Sequence, residues 1–157
     1  MVNPITPLLA VDIIIELYDR PDRPIVLIER RNPPHGWAIP GGFVDVGEEI
    51  EQAALREACE ETTLNVKLMV LLGVYSDPQR DMRGHTASVV YIAQAQGLPH
   101  AQDDAAAAGL FSPHSLPENL AFDHRLILAD YLVFRQTGHL PLPRVRPTTV
   151  PHVADKE

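Results

Sequence analysis

The apolar positions of this chain follow two rhythms. In "LLAVDIIIEL" (8–17) and "PIVLIER" (24–30), β-branched residues crowd into short runs, which predicts two strands joined as a hairpin by the Pro-containing loop "DRPDRP". The paired prolines of "RNPPHG" (31–36) break ladders and helices alike, so a loop is expected there. "WAIP" and "FVDV" flank Gly41 and Gly42 and read as two extended pieces around a tight turn. From Glu48 the period changes. Ile50, Ala54 and Ala58 share one helical stripe with Ala53, Leu55 and Cys59 beside it, predicting a helix over 48–62 whose alanines permit close packing on a sheet. Residues 66–75 and 86–94 read as strands across the polar loop "SDPQRDMRGH", and Leu110–Phe111 as a short last strand. "FDHRLILADYLVFRQTGH" predicts a second helix, with Asp123 accepting N–H bonds at its start and Gly138 stopping it. Strands interleaved with two helices predict an α/β architecture with a mixed sheet.

The stretch "LPLPRVRPTTVPHVADKE" has four prolines and no apolar period. It is expected to be an extended, mobile tail, giving a domain over 1–138 and a tail over 139–157. A length of 157 residues, 45% of them apolar and 22% charged, fits one globular domain with a real core. The formal net charge of −8 argues against nucleic acid or an anionic membrane as partner. An anionic small substrate would need a cation to mediate. A single cysteine, Cys59, excludes an internal disulfide. The N-terminal apolar run is interrupted by Asp12 and Glu16, is too short to cross a bilayer and follows no basic segment, so the expectation is a soluble, cytoplasmic protein.

The charge is concentrated in one place. "PGGFVDVGEEIEQAALREACEETTL" (40–64) opens with turn formers and then sets Glu48, Glu49, Glu51, Glu57, Glu60 and Glu61 on or beside the expected helix. A charge run on a helix is ordinarily a solvated face. Here, however, Glu57, Glu60 and Glu61 project to one side, and like charges three or four apart cost roughly 0.2–0.5 kcal/mol per pair. They also stand toward the helix C-terminus, where the macrodipole disfavours negative charge. A divalent cation that prefers oxygen ligands would offset both penalties. Arg56 can balance charge against Glu48, Glu49 or Glu60, and structural pairing is its expected role. Gly41, Gly42 and Gly47 allow backbone to turn and approach a ligand closely.

These residues resemble the Nudix box, G-x5-E-x7-R-E-U-x-E-E-x-G-U, where U is a bulky aliphatic residue. Gly42, Glu48, Arg56, Glu57, Glu60, Glu61 and Leu64 fall on the pattern; Ala58 and Thr63 depart from it. A β-branched residue resists the left-handed turn that the family's glycine makes, so either the helix ends differently or Asn65 takes that position. The resemblance implies an α/β/α sandwich that hydrolyses a nucleoside diphosphate linked to another group. It implies Glu57 and Glu61 as the main Mg2+ ligands (Mn2+ being the alternative), Glu60 assisting, the Gly41 carbonyl as a further ligand, and Glu48 and Arg56 bracing the loop and helix. A softer resemblance, through "GVYSDPQRDMRGHTASVVYIA", "LAFDHRLILADYL" and "RRNPPHGWAIPGG", is to Nudix enzymes that cleave ADP-ribose to AMP and ribose 5-phosphate, and it spans about residues 8–134. Other Nudix substrates (NADH, dinucleoside polyphosphates, damaged nucleotides) and a non-catalytic ADP-ribose sensor are the alternatives. The resemblance leaves a homodimer open, with the N-terminal hairpin as its exposed surface.

Among the remaining polar residues, Arg80 and Arg83 lie in a Pro/Gly loop and read either as oxyanion contacts or as solvated loop residues. Arg30 and Arg31 are further candidates for phosphate contact. Trp37 can stack on a base or simply pack. His85 and His124 read as hydrogen-bonded structural residues, and no histidine has zinc-site spacing with Cys59. For a general base the candidates are Asp103, Asp104 and Glu118, with Glu57 and Glu60 as alternatives.

Overall fold

The structure, a computed structural model, describes residues 4–145. Its centre is β1 (Leu8–Leu17), with nearly every residue from Ala10 onward buried because both faces of this strand are covered. Successive side chains point to opposite faces. Val11, Ile13, Ile15 and Leu17 join one core cluster with Ala53, Ala54 and Ala58 of α1 (Ile50–Thr62), while Ile14 joins another with Ile127, Leu128 and Tyr131 of α2 (His124–Thr137). The result is a helix, sheet, helix sandwich.

The sheet is mixed. β1 runs parallel to β6 (Thr86–Ala95) along its whole length, and β5 (Lys67–Tyr75) lies antiparallel outside β6. On its other side β1 is shared. Its C-terminal end pairs with β2 (Ile25–Arg30), and its N-terminal half pairs with β4 (Gly41–Phe43). β2 also pairs with β3 (Trp37–Ala38) and β7 (Ala105–Phe111). The splaying of β2 from β4 opens one end of the sheet beneath the start of α2.

Several expectations need correction. Gly41 and Gly42 are strand, not turn, and the bend falls at Pro40. The last strand starts at Ala105, its alanine run lacking the branched residues that mark strands in sequence. Helix α1 begins at Ile50, after Glu49 in an extended conformation. Thr63 itself takes the left-handed position at φ 64°, its N–H donating to the Cys59 carbonyl, so neither alternative for that turn holds. Asp123 makes no side-chain cap on α2, because both of its carboxylate oxygens accept hydrogen bonds from Arg80. Gly138 does stop α2, at φ 74°. The strands of the β1–β2 hairpin are central and mostly buried, and its exposed large apolar residues are confined to Leu8, Leu9 and, in the connecting loop, Tyr18. Residues 139–145 carry no helix or strand but do not hang free: Arg144 donates to both oxygens of Asp130, each at 2.6 Å. The rest of the expected tail, 146–157, lies outside the described residues. Among the described residues, no helix is long and apolar enough to cross a membrane.

Candidate active site

The strand and helix of the "PGGFVDVGEEIEQAALREACEETTL" stretch meet at the open end of the sheet. Gly42 lies directly over the Glu57 carboxylate, where a Cβ would collide with it. A Cβ on Gly41 would strike the Val11 carbonyl and Asp12. The Gly41 N–H instead donates to Glu61 at 2.9 Å. Absence of a side chain at both positions therefore brings β4 against β1 on one side and the helix carboxylates on the other.

Arg56 is the clamp of this unit. Its guanidinium donates to Glu48 twice, each at 2.8 Å, to Glu57 at 2.7 Å, to Glu60 at 3.1 Å and to the Phe43 carbonyl at 3.1 Å. Glu48 in turn accepts from the Asp45 N–H, and the Arg56 hydrogen bonds together with this one bring its pKa down to about 2. Structural pairing, the expected role of Arg56, is what the geometry contains.

Glu57 and Glu61 face a cavity of about 290 Å3 that also has Asp12, Arg30, Asp104 and Phe122 in its wall. Burial raises both glutamates. Glu61 reaches about 8, because desolvation and its neighbours Glu57 and Asp12 outweigh the Gly41 hydrogen bond. Glu57 is raised by burial in spite of Arg56. Glu60 stands outside this cavity with a side chain 46% exposed.

The opposite wall is cationic. Arg30 lies 4.8 Å from the Phe122 ring centre and Arg83 5.2 Å from it on the same ring, so one aromatic side chain carries two guanidinium groups. Arg30 also donates to the Pro34 carbonyl, and Arg83 to both oxygens of Asp81. Arg80 is neither solvated nor a free clamp: it is buried, forked onto Asp123 at 3.0 and 2.7 Å, and 3.6 Å from Asp12. Arg31 is exposed and off the cavity, and Trp37 packs edge-on against Phe111 at 4.8 Å.

Of the three loop acids, Asp104 lines the cavity; Asp103 and Glu118 do not. Sequence reading missed Asp12. The acids that interrupt β1 fall on its α2 face, where Asp12 accepts from Ser88 at 2.5 Å and approaches His124 Nε2 at 3.5 Å. Burial would raise the Asp12 pKa, but His124, the Ser88 hydrogen bond and Arg80 bring it below its usual value. His124 is structural as expected: its Nδ1 accepts the Ile39 N–H at 3.0 Å, which puts the ring proton on Nε2, facing Asp12. His85, at 3.1 Å from the Ser76 carbonyl, is likewise a hydrogen-bonded loop residue. The signal for Asp12 was available: an acid in an otherwise continuous apolar strand is buried and must be partnered.

The donor set suits a hard divalent cation. Glu57 and Glu61 supply carboxylate oxygens in a partly desolvated recess, and among the described residues no lysine or arginine stands within ion-pair distance of Glu61. Among the described residues no three acidic, histidine or cysteine side chains are gathered as a ready-made cage. An ion held here would draw its other ligands from water and phosphate oxygens, as Mg2+ characteristically does.

An α/β sandwich with carboxylates facing arginines across one small cavity is a fold and site of the kind that handles phosphate esters with the help of a cation. The chain belongs to the Nudix family of pyrophosphohydrolases: the NUDIX domain pattern matches residues 7–131. It is 49% identical over 129 residues to the ADP-ribose pyrophosphatase of Methanocaldococcus jannaschii, covering 80% of this chain and 73% of that one. Among solved structures, a MutT/nudix family protein from Enterococcus faecalis superposes with a TM-score of 0.73 at 30% identity, over 86% of this chain and 65% of that one. The NUDIX domain of Shewanella oneidensis NrtR, solved as a complex with ADP ribose, superposes with a TM-score of 0.69 at 26% identity, over 85% of this chain and 90% of that one. Nudix hydrolases generally work with divalent metal ions, in keeping with the donor set.

Proposed function

We propose that the protein hydrolyses ADP-ribose to AMP and ribose 5-phosphate with Mg2+ as its cofactor. The observation that carries this reading is the placement of Glu57 and Glu61 opposite Arg30 and Arg83 in one cavity. The likeness to a relative described as an ADP-ribose pyrophosphatase supports the choice of substrate. Glu57 and Glu61 would hold the ion, with the Gly41 carbonyl as a further ligand, while Glu48 and Arg56 brace the loop and helix; Glu60, expected to assist, lies outside the cavity on Arg56 and is left out of the ligand set. When bound, the ion neutralises diphosphate oxygens and lowers the pKa of a coordinated water. Arg30 and Arg83 hold the diphosphate from the other side, their separation fixed by Phe122. Water adds to one phosphorus, the bond from that phosphorus to the bridging oxygen breaks, and the water's proton passes to a carboxylate of the wall. We take Asp104 as the acceptor of that proton, supported by its being the one of the three loop acids that lines the cavity. We propose the cytoplasm as the protein's location.

A sensor that binds ADP-ribose without cleaving it is the second reading, favoured by the likeness to the NrtR domain. Purified protein incubated with ADP-ribose and Mg2+ distinguishes the two. Release of AMP that stops on adding chelator supports the hydrolase; saturable binding without AMP supports the sensor. A panel of NADH, dinucleoside polyphosphates and oxidised nucleoside triphosphates tests the substrate, since turnover of one of these without AMP from ADP-ribose would reassign it.

A further inference from the structure

A second cavity, of about 720 Å3, adjoins the acidic one and shares Arg80 and Phe122 with it as a common wall. It lies between the end of β5, the loop after it, the start of α2 and the chain at 141–144. We propose that this cavity receives the purine nucleoside end of the substrate while the acidic cavity receives the diphosphate; the proposal deepens the nucleotide-hydrolase reading and rests on it.

Size is the first argument. Sites for small molecules run to about 300–1,000 Å3, so 290 Å3 holds a diphosphate and its ions but not a whole nucleotide sugar. The remainder of the substrate must lie in adjoining space, and the larger cavity begins at the shared wall. The chemistry of its walls is the second argument. Val74, Leu126 and Leu142 converge on it from three separate segments although each is exposed, at 60%, 37% and 85%. Exposed apolar side chains gathered around one recess mark a surface that something covers. Their apolar surfaces suit a heteroaromatic ring, and the Gln79 side-chain amide at the rim offers polar atoms to amino and hydroxyl groups.

The third argument is that both boundaries of the cavity are held in place. Phe122 has φ 55°, a left-handed conformation that an aromatic residue resists, and its ring is gripped by Arg30 and Arg83. Strain of this kind persists only where neighbouring contacts enforce it, here at the junction of the two cavities. On the far side the strap 141–144 is locked by the fork from Arg144 to Asp130, and Asp130 also accepts from the Tyr75 hydroxyl at 2.8 Å. That strap lies beyond residues 7–131, which match the family pattern.

The test uses the full chain and the photoreactive probe 8-azido-AMP, with peptide mapping of the adduct. Labelling of peptides containing 73–80, 122–126 or 141–144, reduced at least tenfold in Leu126→Trp, which fills the cavity, supports the proposal. In ADP-ribose hydrolysis, Leu126→Trp and Arg144→Ala are expected to raise KM at least tenfold with kcat within about threefold of wild type. Label confined to the acidic cavity, label indifferent to Leu126→Trp, or no label at all overturns the proposal. So does a stable dimer in which these peptides are covered by the second copy. Photolabelling needs no turnover, so absence of hydrolysis by labelled wild-type protein counts against the hydrolase reading alone.

Discussion

Glu61 gives the sharpest quantitative test of the site. Its carboxyl stands at about 8 in the folded protein against an ordinary 4.5, with burial as the leading cause. Because the folded value is the higher one, the native state keeps a proton that the unfolded chain has already released. The stability tied to this proton is complete below about 4.5 and is lost as pH rises through about 8. At about 1.36 kcal/mol per tenfold change in proton affinity, the full difference corresponds to about 5 kcal/mol. Allowing for water entry into the recess, the loss between pH 5 and pH 8.5 is on the order of 2–4 kcal/mol. Glu61→Gln removes the titration and keeps an oxygen to accept the Gly41 N–H. In chelator-treated protein, the stability of the variant relative to wild type is therefore expected to rise by that amount across this pH range. A domain of this size moves about 2–4 °C per kcal/mol, so thermal melts at the two pH values resolve the change easily. With Mg2+ at 100 times its Kd the wild type regains about 2.7 kcal/mol and the variant does not. A stability gap between variant and wild type that stays constant from pH 5 to pH 8.5 would refute the account of Glu61 as a buried, unneutralised carboxyl.

Other consequences are equally direct. Arg56→Ala leaves Glu48 and Glu57 without their charge partner and should cost about 2–4 kcal/mol in urea denaturation; Arg56→Lys should recover little, since one ammonium cannot replace a fork onto Glu48 and a contact to Phe43. Arg80→Ala strands Asp123 and weakens the setting of Asp12, at an expected cost of about 3–5 kcal/mol, and a measured loss under 1 kcal/mol would contradict its role as a buried strut. Thr63→Gly should stabilise the protein by about 1 kcal/mol, the β-branched residue at φ 64° being strained; a loss of stability would show that the Thr63 hydroxyl bond to the Thr62 carbonyl outweighs that strain.

What the sequence disclosed and what it withheld divide along physical lines. Helix α1 was legible because the spacing of Ile50, Ala54 and Ala58 is a property of one segment, and the box residues were legible because their roles depend on that same spacing. Of β7 only the Leu110–Phe111 end was legible, because Ala105–Ala108 becomes strand only through its ladder with β2, a long-range pairing that leaves no local mark. Asp123 misled for a related reason. An aspartate before an apolar run is an N-cap by local rules, but Arg80, distant in sequence, takes both of its oxygens. Phe122 was passed over entirely, since an aromatic residue beside a helix start gives no hint that two arginines will stack on it. Local chemistry marked the helix acids and four candidate arginines, but which of those arginines face the acids is decided by tertiary folding.

That division bears on how an acidic chain can bind an acidic substrate. A net charge of −8 repels a diphosphate at long range, but beyond about 8–10 Å such repulsion is largely screened at physiological salt. Inside the cavity the local balance decides. Arg56 draws in Glu48, Glu57 and Glu60, Asp123 draws in Arg80, and Asp81 partly engages Arg83, so most charges are already paired before substrate arrives. Glu61 is the exception. It is buried, has no arginine or lysine within ion-pair distance among the described residues, and is held by one backbone N–H. A cation that satisfies Glu61 removes the principal repulsion toward phosphate from that wall, which leaves Arg30 and Arg83 opposite to act on the diphosphate. Cation and substrate should therefore bind cooperatively, each tightening the other by the same factor.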